Sequence, residues 1–418
     1  MGNKMFSTRQ MAYYDHWGQF IMINSEKDSF QKLLSGKRNI EQLECENTLI
    51  HEYRHCLDNL GTNFGQKLLA ETYRTMSNVI MKKKVEMHVV SPLIISEKVR
   101  EKSLFEIFVK EELNSDNENY FWKFDLTDNY LNNYPIQITK FSSVRGYKIC
   151  NTPVLFTSLF EANSIYEELH NYNHFSLSEY GNNSDKKFLD LDFYMKYAKQ
   201  SLNSEMIEYS TATHFIAAIF ELPHVLNSYD ITSQICTIIL NLTDQHLEAM
   251  RYRLDRNNNK SHFWYFRNRD FGYIIKIICE EYKSIQKGNP IFDIEHFLQH
   301  FGLPDINTFE SDVINDMLQG RDLLLTKCYF YERYIELMLL GVEIFETIGI
   351  SGRKKSVRDC LMENLFTEYI PLIFQDEELS IIKITDILED TNNIKNKYNM
   401  YKLVGFLESE SNKYITLI

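Results

Sequence analysis

Between Leu49 and Thr62 the chain reads LIHEYRHCLDNLGT, and this stretch restricts the fold more than any other. Histidines 51 and 55 stand four residues apart, with Glu52 directly after the first and Gly61 six residues past the second. On an α-helix, residues i and i+4 project from one face. The same helix turns Leu49, Ile50, Leu57 and Leu60 towards a side that can be buried. The pattern therefore predicts a helix from Ile40 to about Leu60, with one apolar face and one face carrying two imidazoles. Seven prolines and fifteen glycines in 418 residues are few, which favours long helices over a loop-rich all-β fold.

The expected class is α+β, predominantly α-helical. Gly61 is expected to end the first helix in a left-handed conformation, and Thr62 or Asn63 to cap a second over about Phe64–Lys83. The segments GQFIMIN, VEMHVVSPLII and YPIQITKF read as strands, and the polar run Asn114–Asn133 as an excursion. A capping Thr157 or Ser158 opens a helix through about Leu169. Beyond it, MIEYSTATHFIAAIFEL, SQICTIILNLTDQHLEAMRYRL and CYFYERYIELMLLGVEIFETI keep a 3.6-residue period. The length suits two domains. The polar EYGNNSDKKF (179–188) is the expected linker, dividing a 1–180 part from a helical 181–418 part.

A net charge of −13 argues against general nucleic-acid or anionic-membrane binding, though not against a local basic patch. No apolar run is long enough to span a bilayer, and the first twenty residues lack a signal-peptide pattern. Seven scattered cysteines without a CxxC pair suit reduced thiols, so a cytoplasmic location is expected.

His51 and His55 on one helix face can bind one metal ion, and Glu52 can reach a water on the ion's open side. Zinc acidifies such a water and polarises a carbonyl, while the carboxylate carries the proton. The pairs His170/His174 and His296/His300 share the spacing but have no glutamate after the first histidine, and read as solvated helix faces. A catalytic zinc usually takes three protein ligands. Asp58 lies roughly 10 Å along the axis from His51, too far to be one, and reads as a salt-bridging residue. Two carboxylates remain open. A chain reversal at Gly61–Asn63 brings Glu71 about level with the histidines, and Glu161 lies on a later helix.

The HExxH helix, with the strand, proline, capping threonine and Glu-Ala helix of TPVLFTSLFEANSIYEE, resembles the zincin metallopeptidases, particularly the gluzincins. The resemblance covers the first part of the chain and leaves out the C-terminal half. It implies zinc held by His51, His55 and Glu161, with Glu52 as general base and a protein or peptide as substrate. Ala162 is small enough to let that helix come close. Glu71 lacks the Asn-Glu pairing common in such enzymes and is the second choice. The type of residue that could steady an oxyanion occurs at Tyr166, His170 and Tyr209, without a basis for choosing. A peptidase inside a cell also calls for restraint, by a regulatory partner or a stress or defence signal.

The contrasting expectation is a helical interaction protein whose HExxH is vestigial or structural. The aromatic and arginine-bearing SHFWYFRNRDF (261–271) reads as a core-packing turn in so acidic a chain. GISGRKK (349–355) lacks phosphate-loop spacing and reads as a turn between helices, and Cys56 reads as a core thiol.

Overall fold

The computed structural model describes residues 12–16, 19–23, 40–80, 105–108, 123–131, 134–180, 184–203, 206–258, 262–286, 292–320, 330–350, 354–363, 365–366, 372–374 and 381–382. In chain order these form β1 (Ala12–Asp15), β2 (Phe20–Ile23), α1 (Ile40–Gly61), α2 (Asn63–Ile80), β3 (Glu106–Ile107), β4 (Lys123–Leu131), β5 (Tyr134–Ser142) and β6 (Lys148–Pro153). Then come α3 (Phe156–Tyr180), α4 (Ser184–Leu202), α5 (Ile207–Phe220), a 3₁₀ turn (Val225–Ser228), α6 (Tyr229–Asn241), α7 (Asp244–Asn258), α8 (Phe263–Arg267) and α9 (Phe271–Ile285). The series ends with α10 (Ile294–His300), α11 (Ile306–Gln319), α12 (Tyr331–Ile348), α13 (Val357–Met362), β7 (Leu372–Phe374) and β8 (Ile381–Ile382). The described residues are predominantly helical with two small sheets, an α+β arrangement weighted heavily to α.

Two compact units account for the contacts. One gathers Met1–Pro92, Glu167–Phe175 and Met317–Ile418; the other gathers Leu93–Tyr166 and Ser176–Asp316. Residue 180 lies inside the second unit, and only residues 181–183 of the expected linker fall between described helices.

In the first unit α1 is the central element. β1 pairs antiparallel with β2, β2 runs parallel to β7, and β7 pairs antiparallel with β8. Leu49, Ile50, Tyr53, Leu57 and Leu60 share one core with Tyr73 of α2 and with Leu337 and Ile344 of α12. The periodicity that makes α1 helical thus supplies its buried side.

Gly61 differs from expectation. It stays helical, and a Cβ there would collide with the Ile344 side chain, so close approach of α12 explains the glycine. Thr62 does cap α2, accepting the Gly65 N–H at 3.0 Å.

The second unit holds the sheet β3-β6-β5-β4, antiparallel throughout. Lys123–Leu131 is a strand within the run read as polar excursion. Its full register against β5, Lys123↔Ser142 to Leu131↔Tyr134, satisfies backbone groups that composition alone did not mark as paired. The expected strand VEMHVVSPLII lies outside the described residues. Helix α5 carries Phe215, and α9 carries Ile274, Ile275 and Ile278, all buried. Among the described residues no helix is long and apolar enough to cross a membrane.

Candidate metal centre

Helix α1 is buried on nearly every side, yet carries a polar stripe: Asn47, His51, Arg54 and Asp58, at spacings of four, three and four. Such spacing keeps the stripe on one face. Burying these groups costs several kcal/mol unless each finds a partner. They find them on α3, where Asn171 Nδ2 donates to Asn47 Oδ1 at 2.7 Å. His51 Nδ1 lies 2.5 Å from Glu168 Oε1, and Arg54 Nη1 donates to Glu167 Oε1 at 3.1 Å. Numbers rise along one helix as they fall along the other, so the two run antiparallel along a polar seam.

Arg54 anchors this seam. Its Nε donates to Asp58 Oδ1 at 2.9 Å, the salt bridge expected of Asp58. Burial alone would lower the guanidinium pKa, but Asp58 and then Glu167 outweigh it, so the group is held charged. Glu167 is pushed up by burial and pulled back by Arg54 and His170.

The imidazoles converge. His55 Nε2 lies 3.0 Å from His51 Nε2, with ring centres 4.7 Å apart and planes at 87°. When neutral His51 donates from Nδ1 to Glu168, its Nε2 carries the lone pair. A nitrogen that carries its lone pair is what a cation requires, and a carboxylate on the far nitrogen is the usual support for a ligating histidine.

His51, His55 and Glu161 each offer one ligand atom within 4.8 Å of the others. Glu161 and Glu168 are seven residues apart on α3, two helical turns, and so share a face. Ligand atoms about a tetrahedral zinc sit roughly 3.4 Å apart, given bonds of about 2.0–2.1 Å. The imidazole pair, at 3.0 Å, is close to that spacing. Two imidazole nitrogens and a carboxylate oxygen form a donor set suited to zinc with an open position.

His55 and Glu161 are buried, and the His51 side chain is 12% exposed. Glu52 is buried, one residue beyond His51 and three before His55 on α1. Ala162 is fully buried, as a closely packed helix requires.

Other sequence-picked groups lie elsewhere. Both Glu71 oxygens are 2.5 Å from Arg74 Nη2, a half-buried ion pair on α2, and Glu71 is not part of the His51–His55 group. His170, His174 and His296 are exposed, as a solvated helix face predicts, but His300 departs from that expectation: it is half-buried, with Nε2 3.7 Å from Glu281 Oε1. Cys56 lies in the core, its thiol pKa driven far up by burial, which leaves little thiolate for chemistry. Sequence reasoning missed the roles of Arg54, Glu167 and Glu168. The four-three-four spacing of the α1 stripe was the available signal.

Comparisons with family models, with curated proteins and with solved structures give no match for this chain.

Proposed function

We propose that the protein is a zinc-dependent hydrolase of the zincin type that cleaves peptide bonds. The observation that supports the reading is that His51, His55 and Glu161 bring one ligand atom each within 4.8 Å of the others, with Glu168 on the far nitrogen of the first imidazole. When bound, zinc supplies Lewis acidity, polarising a carbonyl and acidifying water. Glu52 takes a proton from the attacking water as oxygen bonds to the carbonyl carbon. The same carboxylate returns that proton to the amine nitrogen as the C–N bond breaks. Glu168 holds the His51 ring in the tautomer that presents Nε2.

The fold class in this reading is a zincin-like part carrying α1 and α3 with a helical remainder, and the protein acts in the cytoplasm. The low exposure of His55 and Glu161 supports an activity restrained until a regulatory partner or stress signal opens the site.

Metal analysis of protein purified without added zinc tests the centre. About one zinc per chain is expected, lost in His51→Ala and kept in Glu52→Gln. A wild-type protein that takes up no metal from a zinc-supplemented buffer would leave HExxH as a structural helix in an interaction protein. Restraint has its own test: free cleavage of casein by the purified protein at neutral pH removes it.

A further inference from the structure

The stretch SHFWYFRNRDF does not pack as a simple core turn. Phe266 and Phe271 are buried, but Phe263 and Trp264 are 45% and 37% exposed, and Tyr252 on α7 is 60% exposed. These rings form an ordered surface. The Arg251 guanidinium lies 4.5 Å from the Tyr252 ring centre and 5.4 Å from that of Phe263. Arg267 lies 5.7 Å over Phe263 from the next turn of chain. Tyr252, Arg251, Phe263 and Arg267 therefore alternate ring and guanidinium across α7 and α8.

A second layer holds the first. Trp264 sets its edge against Tyr265 at 5.2 Å, Tyr265 stacks on Tyr273 at 3.7 Å, and the Tyr273 hydroxyl is 2.9 Å from His262 Nδ1. A surface ordered before its ligand arrives avoids much of the entropic cost of binding.

The charge at this corner opposes that of the chain. Residues 251–267 contain five Lys and Arg against one Asp, within a protein of net charge −13. Glu248 and Asp255 neutralise Arg251. Arg253, Arg256 and Arg267 are exposed and in no ion pair among the described residues. An acidic protein segment would answer the arginines and leave the rings unused. A duplex would answer the phosphate-binding groups while hiding its base faces. Single-stranded nucleic acid presents flat faces and regularly spaced phosphates together.

We propose that this corner binds single-stranded nucleic acid, with bases stacked on Tyr252, Phe263 and Trp264 and phosphates met by Arg253, Arg256 and Arg267. The site is independent of the metal centre.

Full-length protein titrated into fluorescein-labelled oligothymidylate and oligouridylate, followed by anisotropy and tryptophan fluorescence, tests it. Micromolar binding at low salt is expected. Three phosphate contacts on a single strand weaken it about 40-fold for a sixfold rise in salt. Tyr252→Ala and Phe263→Ala should each lower affinity at least about fivefold through lost stacking. Arg256→Gln and Arg267→Gln should lower both affinity and salt slope. These side chains are exposed, so folding is checked simply by circular dichroism. No binding at low salt overturns the proposal, as does binding that both ring variants leave unchanged. Polyglutamate that competes as well as the oligonucleotide overturns it in favour of a plain polyanion site. A self-association lost in the same variants overturns it in favour of a second copy as occupant.

Discussion

Two side chains at the seam between α1 and α3 give opposite expectations on substitution. Glu168→Gln keeps the size of the group that meets His51 Nδ1 but removes its charge. Outer partners of ligating histidines are typically worth 10–100-fold in metal affinity. Competition with a zinc chelator should therefore show a 10- to 100-fold weaker site, while the thermal midpoint of metal-free protein stays close to wild type. An unchanged zinc affinity would make the contact merely structural. Arg54→Ala acts on stability instead, because it leaves Asp58 and Glu167 buried without their cation. Removing one member of such a network costs about 3–5 kcal/mol. Urea unfolding should show that loss, and Arg54→Lys should recover only part of it, since one ammonium cannot reproduce two directed guanidinium bonds. The pairing of His51 with His55 was legible in the sequence, because the glutamate after the first histidine sets this pair apart from the other two at the same spacing. Glu168 was not, because nothing local distinguishes it from Glu167 beside it; the contact depends on a partner 117 residues away.

At the scale of elements, the corner where α1, α2 and α12 meet is built on close approach. A Cβ at position 65 would sit 2.5 Å from the Asp58 carbonyl oxygen and also strike that of Asn59, both backbone atoms at the end of α1. A Cβ at position 341 would strike the Leu60 carbonyl and the Gln66 amide, which itself donates to the Leu337 carbonyl at 3.2 Å. Backbone cannot step aside as a flexible side chain can. Gly65→Ala and Gly341→Ala should each destabilise by about 1–3 kcal/mol or more. Gly146→Ala is the contrast: space around it is open, but its φ is +85°. Left-handed backbone alone costs roughly 1–2 kcal/mol for a residue with a Cβ. Thermal melts of the three variants separate the two causes, since Gly146→Asn should recover part of the loss and Gly65→Asn should not. Sequence periodicity revealed α1, α2 and α12 as helices. It did not reveal why Gly61 is glycine, because the Ile344 side chain that excludes a Cβ there arrives from a helix nearly three hundred residues further on.

For the molecule as a whole, the chain leaves the first unit after α2 and returns to it, a route that local propensity cannot encode. The division also sorts the histidines. His214, His224, His246 and His300 all lie in the second unit, and burial lowers the pKa of each. His214 is the extreme case, fully buried on α5 with Nε2 2.6 Å from the Ser201 carbonyl. Burial, drawn back only in part by the Ser201 carbonyl and helped by His224, leaves its pKa at about 3. Above pH 6.5 neither the folded nor the unfolded chain protonates this ring, so it adds no pH dependence. Between pH 6.5 and about 3 the unfolded chain binds a proton that the folded chain refuses. Stability therefore falls as pH falls through that window, by up to about 1.4 kcal/mol per pH unit for this one group. At pH 5 the loss is roughly 2 kcal/mol. Hydrogen exchange followed by mass spectrometry at pH 7 and pH 5 should show protection lost from α5 and α9 before α1 and α12. His214→Gln removes the proton-binding group and should flatten the pH dependence of exchange in α5, even if it lowers protection at pH 7. Equal loss of protection in both units, or an unchanged slope in the variant, would place acid sensitivity in the carboxylates instead.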